Sequence, residues 1–146
     1  MNSKTKKMIG LSLLLLILSG GAIGYYLFSK GPVDVKNSSG KKTAAKDLYQ
    51  SFTTDTITAQ KKYSGKILEV SGEVNEVLNN RENNQVVTLK TSIEGAFINC
   101  TMEEENPDIK PGENIVIKGI CSGIGQGEAE LGIKGDVYLS RCFSVK

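Results

Sequence analysis

The residues best able to do chemistry are three cysteines, in INCTM at Cys100, GICSG at Cys121 and SRCFS at Cys142. They stand 21 residues apart in a chain that has no histidine. A structural zinc site takes four nitrogen or sulfur ligands, commonly in close C-x2-4-C pairs. Three isolated thiols do not supply that set, so no metal is expected. Thiol redox catalysis uses a CxxC pair or a thiolate activated by a neighbouring base, and neither pattern is visible. General acid–base chemistry draws on histidine or on paired carboxylates in a cleft. The densest acids, Glu103 to Glu105, open the polar run EEENPDIKPGE, which reads as a solvated connection. The expectation is a protein that is not an enzyme and needs no cofactor. Two structural readings of the cysteines stay open: buried thiols that fill a core, or a disulfide, which persists in oxidising compartments.

The N-terminus bears on the compartment. Residues 8–28, MIGLSLLLLILSGGAIGYYLF, contain no charge. About 20 such residues cross a hydrocarbon core as a helix, and lipid demands the helix because it offers the backbone no other partner. Lys4, Lys6 and Lys7 precede the run, which by the positive-inside bias puts the N-terminus in the cytoplasm. No A-x-A-like cleavage site follows, so an uncleaved anchor is favoured over a signal peptide. The expected order is a cytoplasmic basic tail (1–7), a membrane anchor (8–28), a flexible linker (29–42) and an extracytoplasmic domain (43–146) in a bacterial envelope. Charge follows this division. Residues 1–40 hold five lysines and one acid, and residues 41–146 hold 13 basic and 15 acidic residues. Lysines and arginines that neutralise phosphates carry much of nucleic-acid affinity, so a slightly acidic domain argues against that partner.

From Thr43 to Tyr63, Ala45, Leu48, Phe52, Ala59 and Tyr63 recur at helical spacing, which predicts one amphipathic helix packed on a sheet. Ser-Gly then ends it, and the period changes to two. KILEVSGEVNEV, QVVTLKT, AFINCTM, NIVIKGICS and DVYLSRCFSV predict five strands separated by polar turns and a Gly-rich loop. Five short strands of this kind suggest a small closed barrel, which removes exposed sheet edges. Gly72 and Gly119, inside strands, mark the bends or bulges that tight curvature needs.

Three stretches, KYSGKILEVSGEV, KGICSG and DVYLSRC, resemble the tRNA_anti-like family, and the resemblance covers about Ala44 to Val145. It implies a mainly β fold: a five-stranded OB barrel behind an N-terminal helix, often following an anchor. It names no ligand, because OB barrels host many tasks. Ligands of such barrels meet the second and third strands and the flanking loops. That surface would comprise Asn79, Arg81, Asn84, Lys90, Phe97 and, in the Gly-rich loop, Gln126. Phe97 is the one aromatic on those two strands, whereas single-strand binders stack bases on several. In an OB barrel the third and fifth strands lie side by side and parallel. Cys100 and Cys142 are then expected to form a disulfide, with Cys121 a free core thiol. The functional expectation is a non-catalytic binding module outside the membrane whose ligand is an envelope glycan or protein. The alternatives are a nucleic-acid-binding OB domain and a redox factor using Cys121.

Overall fold

The computed structural model describes residues 3–29 and 31–145. They divide into a helical unit ending at Val33 and a second unit beginning at Asp34. The first is α1, Ser3–Ser29. Its stretch Met8–Ser29 has a mean hydropathy of 2.0 and is long and apolar enough to cross a membrane. Leu13 to Leu18 are all exposed. A helix apolar on every side suits an apolar surrounding.

The second unit contains β1 (Lys41–Ala44), α2 (Ala45–Thr54), α3 (Thr56–Tyr63) and then the five expected strands: β2 (Ile67–Asn79), β3 (Gln85–Lys90), β4 (Phe97–Met102), β5 (Asn114–Ile124) and β6 (Val137–Val145). β2 is long enough to serve two neighbours. Its first half pairs antiparallel with β5, from Ile67↔Ile120 to Glu73↔Asn114. Its second half pairs antiparallel with β3, from Val74↔Leu89 to Asn79↔Gln85. β3 continues to β4, β4 runs parallel to β6, and β6 runs antiparallel to β5. This closes a five-stranded barrel. β1 is an added sixth strand, parallel to β2 from Lys41↔Leu68 to Ala44↔Ser71.

Alternate residues fill the interior. Val70, Val74, Leu89, Ile98 and Ile117 are fully buried, as are Leu48 and Phe52 from α2. Each large apolar side chain so buried contributes about 1.5–3 kcal/mol. Gly72 lets α2 approach β2, since a Cβ there would lie 3.0 Å from the Cβ of Ala45. The Tyr49 hydroxyl donates to the Gly135 carbonyl at 2.9 Å, tying α2 to the chain entering β6. The connection between β4 and β5 packs Ile109 into the core. The side-chain amide of Gln85 holds that connection by donating to the Asn106 carbonyl at 3.0 Å and accepting from the Asn106 N–H at 2.8 Å.

Three expectations need correction. The single helix over Thr43–Tyr63 is a strand and two helices, broken at Asp55, whose carboxylate accepts from the Thr58 N–H at 3.0 Å and caps α3. Much of the expected linker 29–42 is ordered. Val35 is buried, and Lys118 Nζ donates to the Ser38 carbonyl at 3.0 Å. The third correction concerns the cysteines: all three are free and buried, and no disulfide joins Cys100 to Cys142. Those two thiols are neighbours that share a hydrogen bond. Yet Cys100 pairs with Leu139, and Cys142 with Met102, one pleat further along. Two residues along a strand and one strand across separate Cα atoms by about 8 Å, beyond the usual span of a disulfide.

Candidate ligand face

A bulge in β6 decides which side chains face out. Val137 and Leu139 point into the core and Tyr138 points away. Strict alternation would then send Cys142 outward with Tyr138. Arg141 has a positive φ of 52°, and the β4–β6 register shifts between Cys100 and Met102. The extra residue reverses the phase and turns Cys142 inward.

The outward residues of adjacent strands form a continuous surface. Asn99 on β4 lies opposite Thr88 on β3 and Tyr138 on β6. Phe97 and Thr101 flank Asn99 on the same side of β4 and are half-buried. Tyr138 is 45% exposed. Its ring lies against Gly125, where a Cβ would come within 2.8 Å of Cε2. Asp136 organises the face by accepting the Phe97 N–H at 2.9 Å through Oδ1 and the Asn99 Nδ2 at 2.7 Å through Oδ2. The second bond fixes the Asn99 amide plane. Thr88 is not free to meet a ligand. Its hydroxyl accepts the Glu76 N–H at 3.2 Å and donates to the Glu76 carbonyl at 3.3 Å, mending the ladder at the β2 irregularity.

The residues expected from the sequence fall into separate groups. Asn79, Arg81 and Asn84 lie at the β2–β3 hairpin, where Asn80 Oδ1 accepts from the Glu82 and Asn84 amides at 2.9 Å each. Lys90 and Phe97 pair at the far end of β3, about 17 Å away at 3.3–3.4 Å per residue. Lys90 is held by Glu73, Nζ to Oε1, at 2.5 Å. Gln126 is exposed and follows Gly125 into the β5–β6 loop. That loop makes a small hairpin in which the Glu128 N–H donates to the Ile133 carbonyl at 2.8 Å. It leaves Leu131 and Ile133 exposed. Sequence reasoning missed Tyr138, Asn99 and Asp136. The outward position of Tyr138 between Val137 and Leu139 was the available signal.

The thiols are poorly suited to chemistry. The hydrogen bond with Cys142, together with burial, pushes the Cys100 pKa well above the usual thiol range. Burial also raises Cys121, against a smaller opposing effect of the Gly123 amide. A nucleophilic thiol needs the opposite shift. Among the described residues, no group of three or more His, Cys, Asp or Glu side chains is placed to hold a metal.

A closed five-stranded barrel with a parallel β4–β6 pair and an open outer sheet face defines an OB-fold domain. The chain belongs to the tRNA_anti-like family, whose model matches residues 1–131. No curated protein matches the sequence.

Proposed function

We propose that the barrel is a non-catalytic binding module, anchored by α1 on the outer side of a membrane, and that it takes a neutral oligosaccharide or an uncharged protein segment. The observation that supports this most is the open face of Phe97, Asn99 and Tyr138. It offers two aromatic surfaces around one amide fixed by Asp136. Aromatic faces accept apolar sugar or side-chain surfaces, and a few oriented polar groups supply specificity. Exposed Leu131 and Ile133 extend an apolar contact at the loop. Tyr138 gives the nucleic-acid reading a second aromatic, but Lys90, the sheet-face lysine, is already paired with Glu73.

The test is an NMR titration with chitohexaose, with an extended neutral peptide and with a single-stranded oligonucleotide. Neutral ligands are expected to move the Phe97, Asn99 and Tyr138 signals, and Tyr138→Ala to abolish the change. Binding restricted to the oligonucleotide and weakening with salt would replace this reading with nucleic-acid binding. Protease added to intact cells checks the compartment: an outward-facing barrel is released or digested without lysis.

A further inference from the structure

The charge of the second unit is strongly divided. Residues 34–66 carry seven lysines and three aspartates, whereas residues 67–145 carry six basic and 13 acidic side chains. The layer of β1, α2 and α3 is therefore positive on an otherwise negative barrel. Within it, two lysines distant in sequence converge. The Lys41 ammonium lies 5.3 Å from the Tyr63 ring centroid, and that of Lys62 lies 4.9 Å from it. Lys61 and Lys66 are exposed within three residues of Tyr63. Like charges gathered in this way repel, and the described structure gives neither Lys41 nor Lys62 an ion pair. The chain leading to this layer is short. Only residues 30–33 separate Ser29, the end of α1, from Asp34, where the second unit begins. Four extended residues reach about 14 Å, less than two Debye lengths of about 8 Å at physiological salt.

We propose that Lys41, Lys61, Lys62 and Lys66 form a docking surface for the anionic phospholipid headgroups of the membrane that α1 enters. This rests on α1 being a membrane span, and it does not depend on which side of the membrane the barrel faces. A basic cluster next to a membrane anchor gains about fivefold in affinity per lysine from an anionic surface. The acidic strands are repelled by the same surface. Docking through the helical layer would therefore leave the sheet face of Phe97 and Tyr138 available to a ligand.

The test uses the full chain in lipid nanodiscs. Lysine acylation by a water-soluble succinimidyl ester is followed by peptide mass spectrometry, with Lys110 and Lys134 as exposed references. In discs containing phosphatidylglycerol, Lys41, Lys61, Lys62 and Lys66 should react about fivefold more slowly than in pure phosphatidylcholine discs, with the difference shrinking as salt rises. The references should not change. In Lys41→Gln/Lys62→Gln, protection at Lys61 and Lys66 should fall. Equal rates in the two lipids would overturn the proposal, as would protection that survives the double substitution. If millimolar inorganic phosphate protects the same lysines in phosphatidylcholine discs, the site takes small anions and the membrane assignment is wrong. A chain that does not co-elute with the discs refutes the anchor itself.

Discussion

Gly119→Ala tests the interior of the barrel directly. Gly119 lies inside β5 and faces the core. A Cβ built there would overlap the Sγ of Cys142 and lie 3.2 Å from the Ser140 carbonyl oxygen. Cys142 is fully buried and short, so its sulfur has little room to retreat. Overpacking of this kind costs about 1–3 kcal/mol, and the severity of the overlap puts the expectation near the top, about 2.5 kcal/mol. Cys142→Ala alone removes one buried sulfur and the contact with Cys100, for a loss of about 1 kcal/mol. In the double variant the new methyl takes the space of the lost sulfur. The residual cost of Gly119→Ala should then fall to about 0.5–1 kcal/mol, because the carbonyl remains close. The coupling between the sites is thus about 1.5–2 kcal/mol, well above the few tenths within which independent substitutions add. Urea unfolding of the second unit, followed by circular dichroism, reads it as a shift in midpoint at constant slope. Additive losses would show that the sulfur is not what excludes a side chain from position 119.

Three further outcomes follow from the same geometry. A thiol reagent at mildly alkaline pH should find almost no reactive cysteine in the native protein and three after denaturation; rapid native labelling of Cys121 would restore the redox reading. Asp136→Ala strips partners from the Phe97 amide and the Asn99 side chain and should cost about 1–3 kcal/mol, whereas Asp136→Asn keeps one acceptor oxygen and should lose less; an unchanged unfolding midpoint in the alanine variant would refute the organising role of Asp136. The Thr58 hydroxyl and amide hold the Asp55 carboxyl below its ordinary value of 3.8. A carboxyl with a depressed folded pKa adds stability that is present above its unfolded value and lost as pH falls through the folded pKa. Asp55→Ala should therefore lower the melting temperature at neutral pH, and the gap from wild type should narrow below pH 3.8. A gap independent of pH would mean that the charge contributes nothing.

How much could be read in advance depended on the length of the pattern. The five barrel strands each repeat their alternation several times, and their limits in the structure fall close to those expected. β1 spans only Lys41–Ala44, too short for a period, and its parallel pairing with β2 is a tertiary fact. Val35 is one of two valines in a short polar stretch with no period, so nothing local announced its burial. The helix break was legible in principle, since an Asp that accepts from an amide three residues on is an N-cap, but the continuous apolar face concealed it. The cysteine pairing failed because Cys142 sits opposite Met102, one pleat beyond Cys100, a register that strand order alone does not give. The ligand face was only half legible. The strands were right, but Tyr138 belongs to a third strand whose neighbours only the barrel topology supplies.

Gln85 and Asn106 carry a consequence of another kind. By giving and taking a hydrogen bond with one residue's backbone, the Gln85 side chain acts as a fragment of β-strand ladder where no strand exists. The Asn106 amide is then closed to water by an internal partner rather than by a neighbouring strand. Its hydrogen should exchange on the timescale of barrel opening, as should that of Glu103, whose N–H donates to the Cys142 carbonyl at 2.9 Å, while the amides of Glu104 and Glu105 are tied less closely to that event. Residues 103–113, acidic and rich in turns, would behave in time as part of the sheet, held by this clasp at their middle and by backbone bonds of Glu103 to Cys142 and of Gly112 and Glu113 to Val74 at their ends.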